Sequence, residues 1–421
     1  MDEHRLALCL DEFRALLGGK RFAVALSGGC DSLCLALVAK RWADRNKAGV
    51  VALTVDHGLR EESSEEAFYV HGLCKKYDID HRILVWAGGK PGSNVESSAR
   101  EARYGLMSKF CTENSIDHLL VAHHREDQAE TFFLRLFRGS GIDGLSSMKK
   151  ITKLFGIEII RPFLDIHRSL LKKYLRDIGA VWVEDPSNND QRFLRNKIRF
   201  FLNSFENRDE ITDRISFAIG EISKLRTNIE IQSKYVRDRV LEFSEFGSCS
   251  IKIGTLLRED ESIVFRILAE VAMRVSGNVY RPRLVKLKRL LAHLSKNGPV
   301  ARYTFYGCIF ESWKEGHLIV YREYNSISTD RELVLGEEVF WDNRFSVLLT
   351  EDIGRAFVTH IREGKLNALL ENREMVNTWY HGALADLRNA EKRIFYTLPV
   401  VRVGDNYLLD SESVRIRALH S

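Results

Sequence analysis

Phe22-Ala23-Val24-Ala25-Leu26-Ser27-Gly28-Gly29-Cys30-Asp31-Ser32 decides how the first half of this 421-residue chain is read. A short apolar run of strand character enters a Ser-Gly-Gly turn, and a helical pattern begins directly behind it. Paired glycines let a backbone approach a ligand closely, and the first turn of a helix offers N–H groups without partners inside the helix. Together they form an anion site, with phosphate the natural guest. The turn lacks the Lys-Ser/Thr pair of a Walker A loop and carries the Asp31 carboxylate instead. A carboxylate beside a polyphosphate is repelled unless a divalent cation bridges them, so the residues call for Mg²⁺, with Asp31 as its leading ligand. The bland competitor is a glycine turn that only joins a strand to a helix.

Outward from this turn, strand-like and helix-like segments alternate. Phe22–Leu26, Val50–Val55, Arg82–Trp86 and His118–Ala122 are rich in Val, Ile or Leu. Helical patterns lie between them, from Ser32 to about Asp44, Glu62 to Lys76, Val95 to Cys111 and Glu126 to Phe137. The rhythm predicts an α/β fold with a doubly wound parallel sheet. Ligands of such sheets sit beyond the carboxyl ends of the strands, so Ser27, Asp56 and His123 should converge on one crevice. Past Arg192 the pattern turns mostly helical to about His293, with Leu284, Leu287, Leu291 and Leu294 as a core stripe. Short β-like runs follow at Arg302–Phe305, Leu318–Tyr321, Glu338–Trp341 and Phe345–Leu349, and Asn325-Ser326-Ile327-Ser328 reads as a linker. The expected domains are 1–205, a nucleotide-binding catalytic domain; 206–325, mainly helical and basic; and 326–421, a small α+β module.

Composition narrows the function classes. The chain is 45% hydrophobic and 29% charged, with a net charge of +5, ordinary for a globular protein. Its charged start argues against a secretory signal, and no apolar run reaches the roughly 18 residues of a membrane helix; the expected location is cytoplasmic. Seven scattered cysteines without a C-x-x-C pair argue against a disulfide framework, a zinc ribbon or an iron–sulfur site. Between Arg192 and Arg302, 22 Lys/Arg stand against 13 Asp/Glu. An excess concentrated there suits a polyanion larger than a nucleotide, nucleic acid above all; the alternative is a solvated helical surface.

Four more segments carry candidate chemistry. Asp56-His57-Gly58-Leu59-Arg60 follows a strand end and also serves as an ordinary turn. Glu96, Arg100 and Arg103 share one helix face, where two guanidiniums can grip pyrophosphate or an RNA phosphate, or form a surface ladder. In Ala122-His123-His124-Arg125-Glu126-Asp127-Gln128-Ala129-Glu130-Thr131, a helix starting near His123 aligns His123, Asp127 and Glu130, suited to a metal or a cationic amine. Trp182-Val183-Glu184-Asp185-Pro186-Ser187-Asn188-Asn189 leads to Arg192, Arg195 and Arg199 at helical spacing, a basic stripe. Gly88-Gly89-Lys90-Pro91-Gly92-Ser93 lacks the phosphate-loop spacing and reads as a plain loop.

The Ser-Gly-Gly-X-Asp-Ser pattern resembles the PP-loop of N-type ATP pyrophosphatases, which cleave ATP between the α- and β-phosphates. Together, the five motifs in this order resemble the tRNA(Ile)-lysidine synthetase family; beyond about Phe201 the resemblance rests on length and architecture. It implies that free L-lysine is joined through its ε-amine to ring carbon two of the wobble cytidine of an isoleucine tRNA with anticodon CAU. The cytidine is first adenylated by ATP, and lysine then displaces AMP. On this reading Ser27, Gly28, Gly29, Cys30, Asp31, Ser32, Asp56 and His57 bind the nucleotide. Asp31, His123, Asp127 and Glu130 form the catalytic set, and Arg100, Arg103, Arg192, Arg195 and Arg199 meet tRNA phosphates. ATP and Mg²⁺ are the implied cofactors, and a homodimer is compatible with the family. The rivals are a tRNA thiolase, an amidating ligase of the GMP- or NAD-synthetase kind, and a non-catalytic RNA-binding protein.

Overall fold

The computed structural model describes the chain apart from residue 1 and residues 57–61, 87–94, 184–193, 245–246, 279, 298–301, 313–315, 328–329, 361–392, 395, 405, 409–412 and 420–421. It divides into two compact units, Met1–Lys224 and Leu225–Ser421. His57, Arg192, the Asp185–Asn189 segment and the Gly88–Ser93 loop lie outside the described residues, as do the side chains of Glu96 and Arg100.

The first unit opens with α1 (Asp2–Asp11) and α2 (Arg14–Leu17). There follow β1 (Arg21–Ala25), α3 (Cys30–Arg45), β2 (Gly49–Asp56), α4 (Glu62–Lys76), β3 (Asp80–Val85), α5 (Val95–Glu113), β4 (His118–Leu120) and α6 (Arg125–Phe137). Next come α7 (Ile142–Leu145), β5 (Ile151–Leu154), β6 (Ile157–Ile160), α8 (Arg168–Asp177), α9 (Leu194–Asn203) and the start of α10 (Arg208–Val240). The six strands lie in the order β3-β2-β1-β4-β6-β5. All neighbours are parallel except β5 and β6. Ala23 pairs with Val51 on one side and Leu119 on the other. Alternate residues of β1 feed opposite cores. Phe22 and Val24 pack with Leu33, Leu37 and Trp42 of α3 and with Leu171 and Leu175 of α8; Ala23 packs with Tyr104, Met107 and Cys111 of α5. Both faces are covered, as apolar parallel strands require.

The expected doubly wound sheet is present, with an addition. The β5–β6 hairpin turns through Phe155 (φ 49°) and Gly156 (φ 87°). Two successive positive φ values make the tight hairpin turn that usually selects Asn-Gly; Phe-Gly does not advertise it in sequence. β6 puts Ile157, Ile159 and Ile160 into the sheet beside β4.

In the second unit, after α10, come β7 (Leu241–Phe243), β8 (Cys249–Lys252), α11 (Ile253–Leu256), α12 (Glu261–Ser276), α13 (Leu284–Asn297), β9 (Tyr303–Phe305), β10 (Cys308–Ser312) and β11 (His317–Arg322). β7 and β8 stand where the sequence reads as helical. They join an antiparallel sheet ordered β7-β8-β11-β10-β9, in which Ile251 faces Leu318. Strands of three and four residues carry little periodicity, so pairing defines them, β8 against distant β11 and β7 against β8. The leucine stripe of α13 packs into the core, Leu287 and Leu294 buried and Leu284 and Leu291 partly so, and Leu290, outside the stripe, is buried with them. The chain ends in β12 (Arg331–Leu333), β13 (Glu338–Trp341), β14 (Phe345–Leu349), β15 (Ala356–His360), β16 (Pro399–Val403), β17 (Asn406–Leu408) and β18 (Val414–Ala418). These form two small sheets, β12-β15-β16-β17 and β13-β14-β18, closed over Trp341, Phe345, Val347 and Val400. Buried Asp342 accepts from Arg322 and Arg344, locking the Asn325 region in place rather than leaving it as an open linker. Among the described residues no helix is long and apolar enough to cross a membrane.

Candidate active site

The strand order reverses between β1 and β4, the place where an open α/β sheet leaves a crevice beyond its carboxyl edge. Ser27 leaves β1 there and His123 leaves β4. Asp56 ends the neighbouring strand β2 and is buried.

The Ser27–Ser32 turn is held by hydroxyls. Ser32 Oγ donates to Gly29 O (3.0 Å) and accepts from the Ser27 N–H (3.1 Å). With that proton committed, the 3.1 Å contact between the two hydroxyls makes Ser27 Oγ the donor. Gly28 has φ +82°, and a Cβ there would lie 2.6 Å from Val70 Cγ2. Only glycine satisfies both conditions. Gly28 O also accepts from the N–H of Val183, so the segment leading toward Asp185 leaves from the turn itself. Gly29 caps α3 in extended conformation, aiming the free N–H groups of the first turn into the crevice. The Cys30 thiol is buried, and burial followed by the neighbouring Asp31 pushes it up to about 11, so it stays a neutral wall.

Three helix N-termini meet at this point. Asp31 in the first turn of α3 accepts from Arg168 Nε at the start of α8 (2.9 Å). At the start of α6, His124 Nε2 lies 3.7 Å from Asp31 Oδ2 and 3.4 Å from Asp127 Oδ2, and its Nδ1 lies 3.0 Å from Glu126 Oε2. Both Glu126 oxygens accept from the backbone N–H of Arg168 (3.1 and 3.0 Å), capping α8. The positive ends of three helices therefore converge where a polyphosphate would lie.

Burial alone would lower the His124 pKa, but Asp127, Glu126 and Asp31 more than reverse this and raise it to about 9. His124 is thus an imidazolium at neutral pH. Burial opposes ionisation of Glu126, yet His124 and the Arg168 N–H bring it down to about 2. Asp127 is likewise held well below the usual carboxylate range against its burial, by His124 first and then Arg195 and His123.

A second cluster lies further along α6. Glu130 accepts from Arg195 Nε (2.8 Å) and from Arg199 Nε (2.7 Å), and Arg195 also reaches Asp127 Oδ1 (2.9 Å). Ala129, Ile198 and Leu202 pack beneath these ion pairs. A cavity of about 50 Å³ opens between the two clusters, lined by His124, Glu126, Glu130, Arg168, Arg199 and Arg208 among others.

The structure thus brings together Ser27, Gly28, Gly29, Cys30, Asp31, Ser32, Asp127, Glu130, Arg195 and Arg199. Helix α6 begins at Arg125 rather than near His123. His123 therefore precedes the helix, half-buried, and faces Asp127 electrostatically instead of sharing a helical stripe with it. Arg103 lies on the exposed face of α5. Sequence reasoning missed His124, Glu126 and Arg168. The first two stand inside the quoted motif, where helical spacing counted from His123 passed over them; Arg168 had no local signal, because it is 137 residues from its partner Asp31.

A turn of this geometry, at the switch point of a parallel sheet and backed by converging helix N-termini, defines a nucleotide-binding domain of the PP-loop class. Residues 3–205 match the family model described as the PP-loop domain. The chain is 33% identical over 388 residues to a tRNA(Ile)-lysidine synthase from Wolbachia pipientis wMel, covering 92% of this chain and 87% of the relative. It is 30% identical over 405 residues to one from Orientia tsutsugamushi, covering 93% and 89%. Among solved structures it is similar to a U34-tRNA thiolase from Methanococcus maripaludis at 17% identity and a TM-score of 0.46, over 52% of this chain and 78% of that one. The chain belongs to the tRNA(Ile)-lysidine synthase family.

Proposed function

We propose that this chain performs the family's reaction, ATP-dependent formation of lysidine on tRNA(Ile), at the crevice between β1 and β4. The observation that carries the reading is the convergence of the Ser27–Ser32 turn with the Glu126 and Asp127 carboxylates around His124, with Glu130 in the adjoining cluster that Arg195 shares with Asp127. The co-substrates we assign are free L-lysine and an isoleucine tRNA with anticodon CAU. The wobble cytidine's carbonyl oxygen attacks the α-phosphate of ATP and pyrophosphate leaves; the lysine ε-amine then attacks ring carbon two and AMP departs.

The turn's free N–H groups hold the phosphates, the hydroxyls of Ser27 and Ser32 keep the turn in shape for them, and the Arg168 guanidinium lies beside Asp31. Asp31 is a hard oxygen donor at the mouth of the turn, and Mg²⁺ is commonly held by one or two carboxylates plus phosphate oxygens, so the residues fit that ion. When bound, it neutralises charge on the departing pyrophosphate. We assign Asp56, at the end of β2, and His57 to nucleotide binding as well. Asp127 and Glu130 are the acceptors for the lysine ammonium, with His123 beside them, and a carboxylate there relieves the ammonium of a proton so that a neutral amine attacks.

Arg195 and Arg199 neutralise Glu130. The same guanidiniums, with Arg100, Arg103 and Arg192, are our candidates for tRNA phosphates. A phosphate drawing them outward would free Glu130 for lysine, so tRNA arrival would prepare the amine site. We assign the remaining tRNA contact to residues 206–325 and 326–421, and a substrate of this kind goes with a cytoplasmic enzyme. Incubation with radiolabelled lysine, ATP and tRNA should label the tRNA and release AMP and pyrophosphate one for one with lysine. ADP in place of AMP, or label that does not depend on ATP, would remove the proposal.

A further inference from the structure

Helices α6 and α9 carry two chemistries along one seam. At one end Asp127 and Glu130 meet Arg195 and Arg199. Further along, the surface becomes aromatic. Phe133 is in ring contact with Phe132 (5.7 Å), Phe201 (5.9 Å) and Phe137 (6.0 Å), and Phe201 with Phe205 (5.1 Å). Packing on Ile198 and Leu202 anchors Phe133, but the outer rings face solvent: Phe137 is 62% exposed, Phe201 47% and Phe205 37%.

A contiguous group of exposed rings is unusual on a globular surface and marks an interaction site. Its charged surroundings select the partner. Helix α9 carries Arg195, Lys197 and Arg199 and no acidic residue. Lys197 and Arg138, which directly follows Phe137, are exposed. Arg135 and Arg138 on one side and Arg195, Lys197 and Arg199 on the other outnumber the single acid beside the rings, exposed Glu206. Rings interleaved with an excess of cations suit unpaired nucleotides, whose bases stack and whose phosphates need neutralising. A protein partner would be served by the rings alone.

We propose that Phe133, Phe137, Phe201 and Phe205 form a stacking platform for unpaired tRNA bases adjoining the base that reacts, with Arg138 and Lys197 on their phosphates. This rests on the function proposed above. A base that reaches Asp127 and Glu130 must leave its stack, and its neighbours are left with open faces. Phe137 lies seven residues beyond Glu130 on α6, roughly 10 Å at 1.5 Å per residue. That is the span of about three stacked nucleotides at ~3.4 Å each.

The test uses the full chain and an isoleucine tRNA transcript carrying 2-aminopurine beside the wobble position. Binding should quench the probe. Phe137→Ala, at a position too exposed to endanger the fold, should reduce the quench and raise the tRNA Kd about five- to a hundredfold. Phe137→Leu, which keeps apolar area without a π face, should behave like alanine, and Phe137→Trp should restore binding. Unchanged affinity in Phe137→Ala, or full binding by Phe137→Leu, would overturn the platform. So would sedimentation showing a dimer that Phe137→Ala dissolves while tRNA affinity stands, which would assign the face to a second copy. Lysine transfer by the wild-type enzyme to the same transcript tests the reaction separately, so failure of the platform and failure of the function can be told apart.

Discussion

The charged histidine at the centre of the site gives the sharpest prediction. His124 is 3% exposed, with carboxylates of Asp31, Glu126 and Asp127 around it. Its pKa rises from 6.5 to about 9 because those carboxylates outweigh the cost of burial. A group whose folded pKa lies above its unfolded value stabilises the fold fully below the unfolded pKa and loses that contribution as pH rises through the folded one. At about 1.4 kcal/mol per pKa unit, the full contribution is on the order of 3 kcal/mol, of which about 2 kcal/mol should vanish between pH 7 and pH 9. Glutamine at this position fills a similar space and cannot titrate. Chemical denaturation of wild type and His124→Gln, each at about pH 7, 8 and 9, isolates the effect, since other titrating groups cancel in the difference. The wild-type advantage should shrink by about 2 kcal/mol across this window, and ¹³C-labelled histidine should show one imidazole titrating near 9. Parallel loss of stability in both proteins, or a His124 titration near 6.5, would refute the imidazolium as the hub of the site.

Three further outcomes are expected. Asp31→Ala should abolish pyrophosphate release while tRNA binding in a filter assay survives; near-normal turnover would remove Asp31 from the chemistry. Gly28→Ala should cost about 1–3 kcal/mol, because a Cβ meets Val70 and the positive φ is strained. It should also raise the KM for ATP, and a variant of wild-type KM would show that the turn does not cradle phosphate. Arg195→Ala removes a half-exposed guanidinium and leaves its buried partners Asp127 and Glu130 short of a counter-charge, so a loss of melting temperature should accompany weaker tRNA binding. If Arg195 meets phosphate, the salt dependence of tRNA affinity should fall by about one counterion; an unchanged slope would confine it to holding the carboxylates.

Much of the site was legible locally. The Phe22–Ser32 stretch announces strand, turn and helix through changes of period and paired glycines, and the structure places β1, the Ser27–Ser32 turn and α3 accordingly. The helices at Glu62–Lys76 and Arg125–Phe137 follow from apolar spacing. The β5–β6 hairpin escaped because Phe155-Gly156 is an uncommon pair for its turn, and β7 and β8 because strands of three and four residues carry little periodicity; β8 is fixed by a partner some 67 residues distant, Ile251 by Leu318, and β7 in turn by β8.

The sequence alone pointed to the class of chemistry: glycines, hydroxyls and a carboxylate within six residues after an apolar strand favour a local anion site over a plain connection, since backbone geometry there depends on neighbours in the chain. Tertiary structure decided which side chains share that site. Arg168 reaches Asp31, His124 rather than His123 becomes the buried cation, and Arg195 and Arg199 fold back onto Glu130. Charge interactions act through space, and the apposition of three helix starts at one sheet edge is set by packing on both faces of the sheet. No spacing along the chain encodes it.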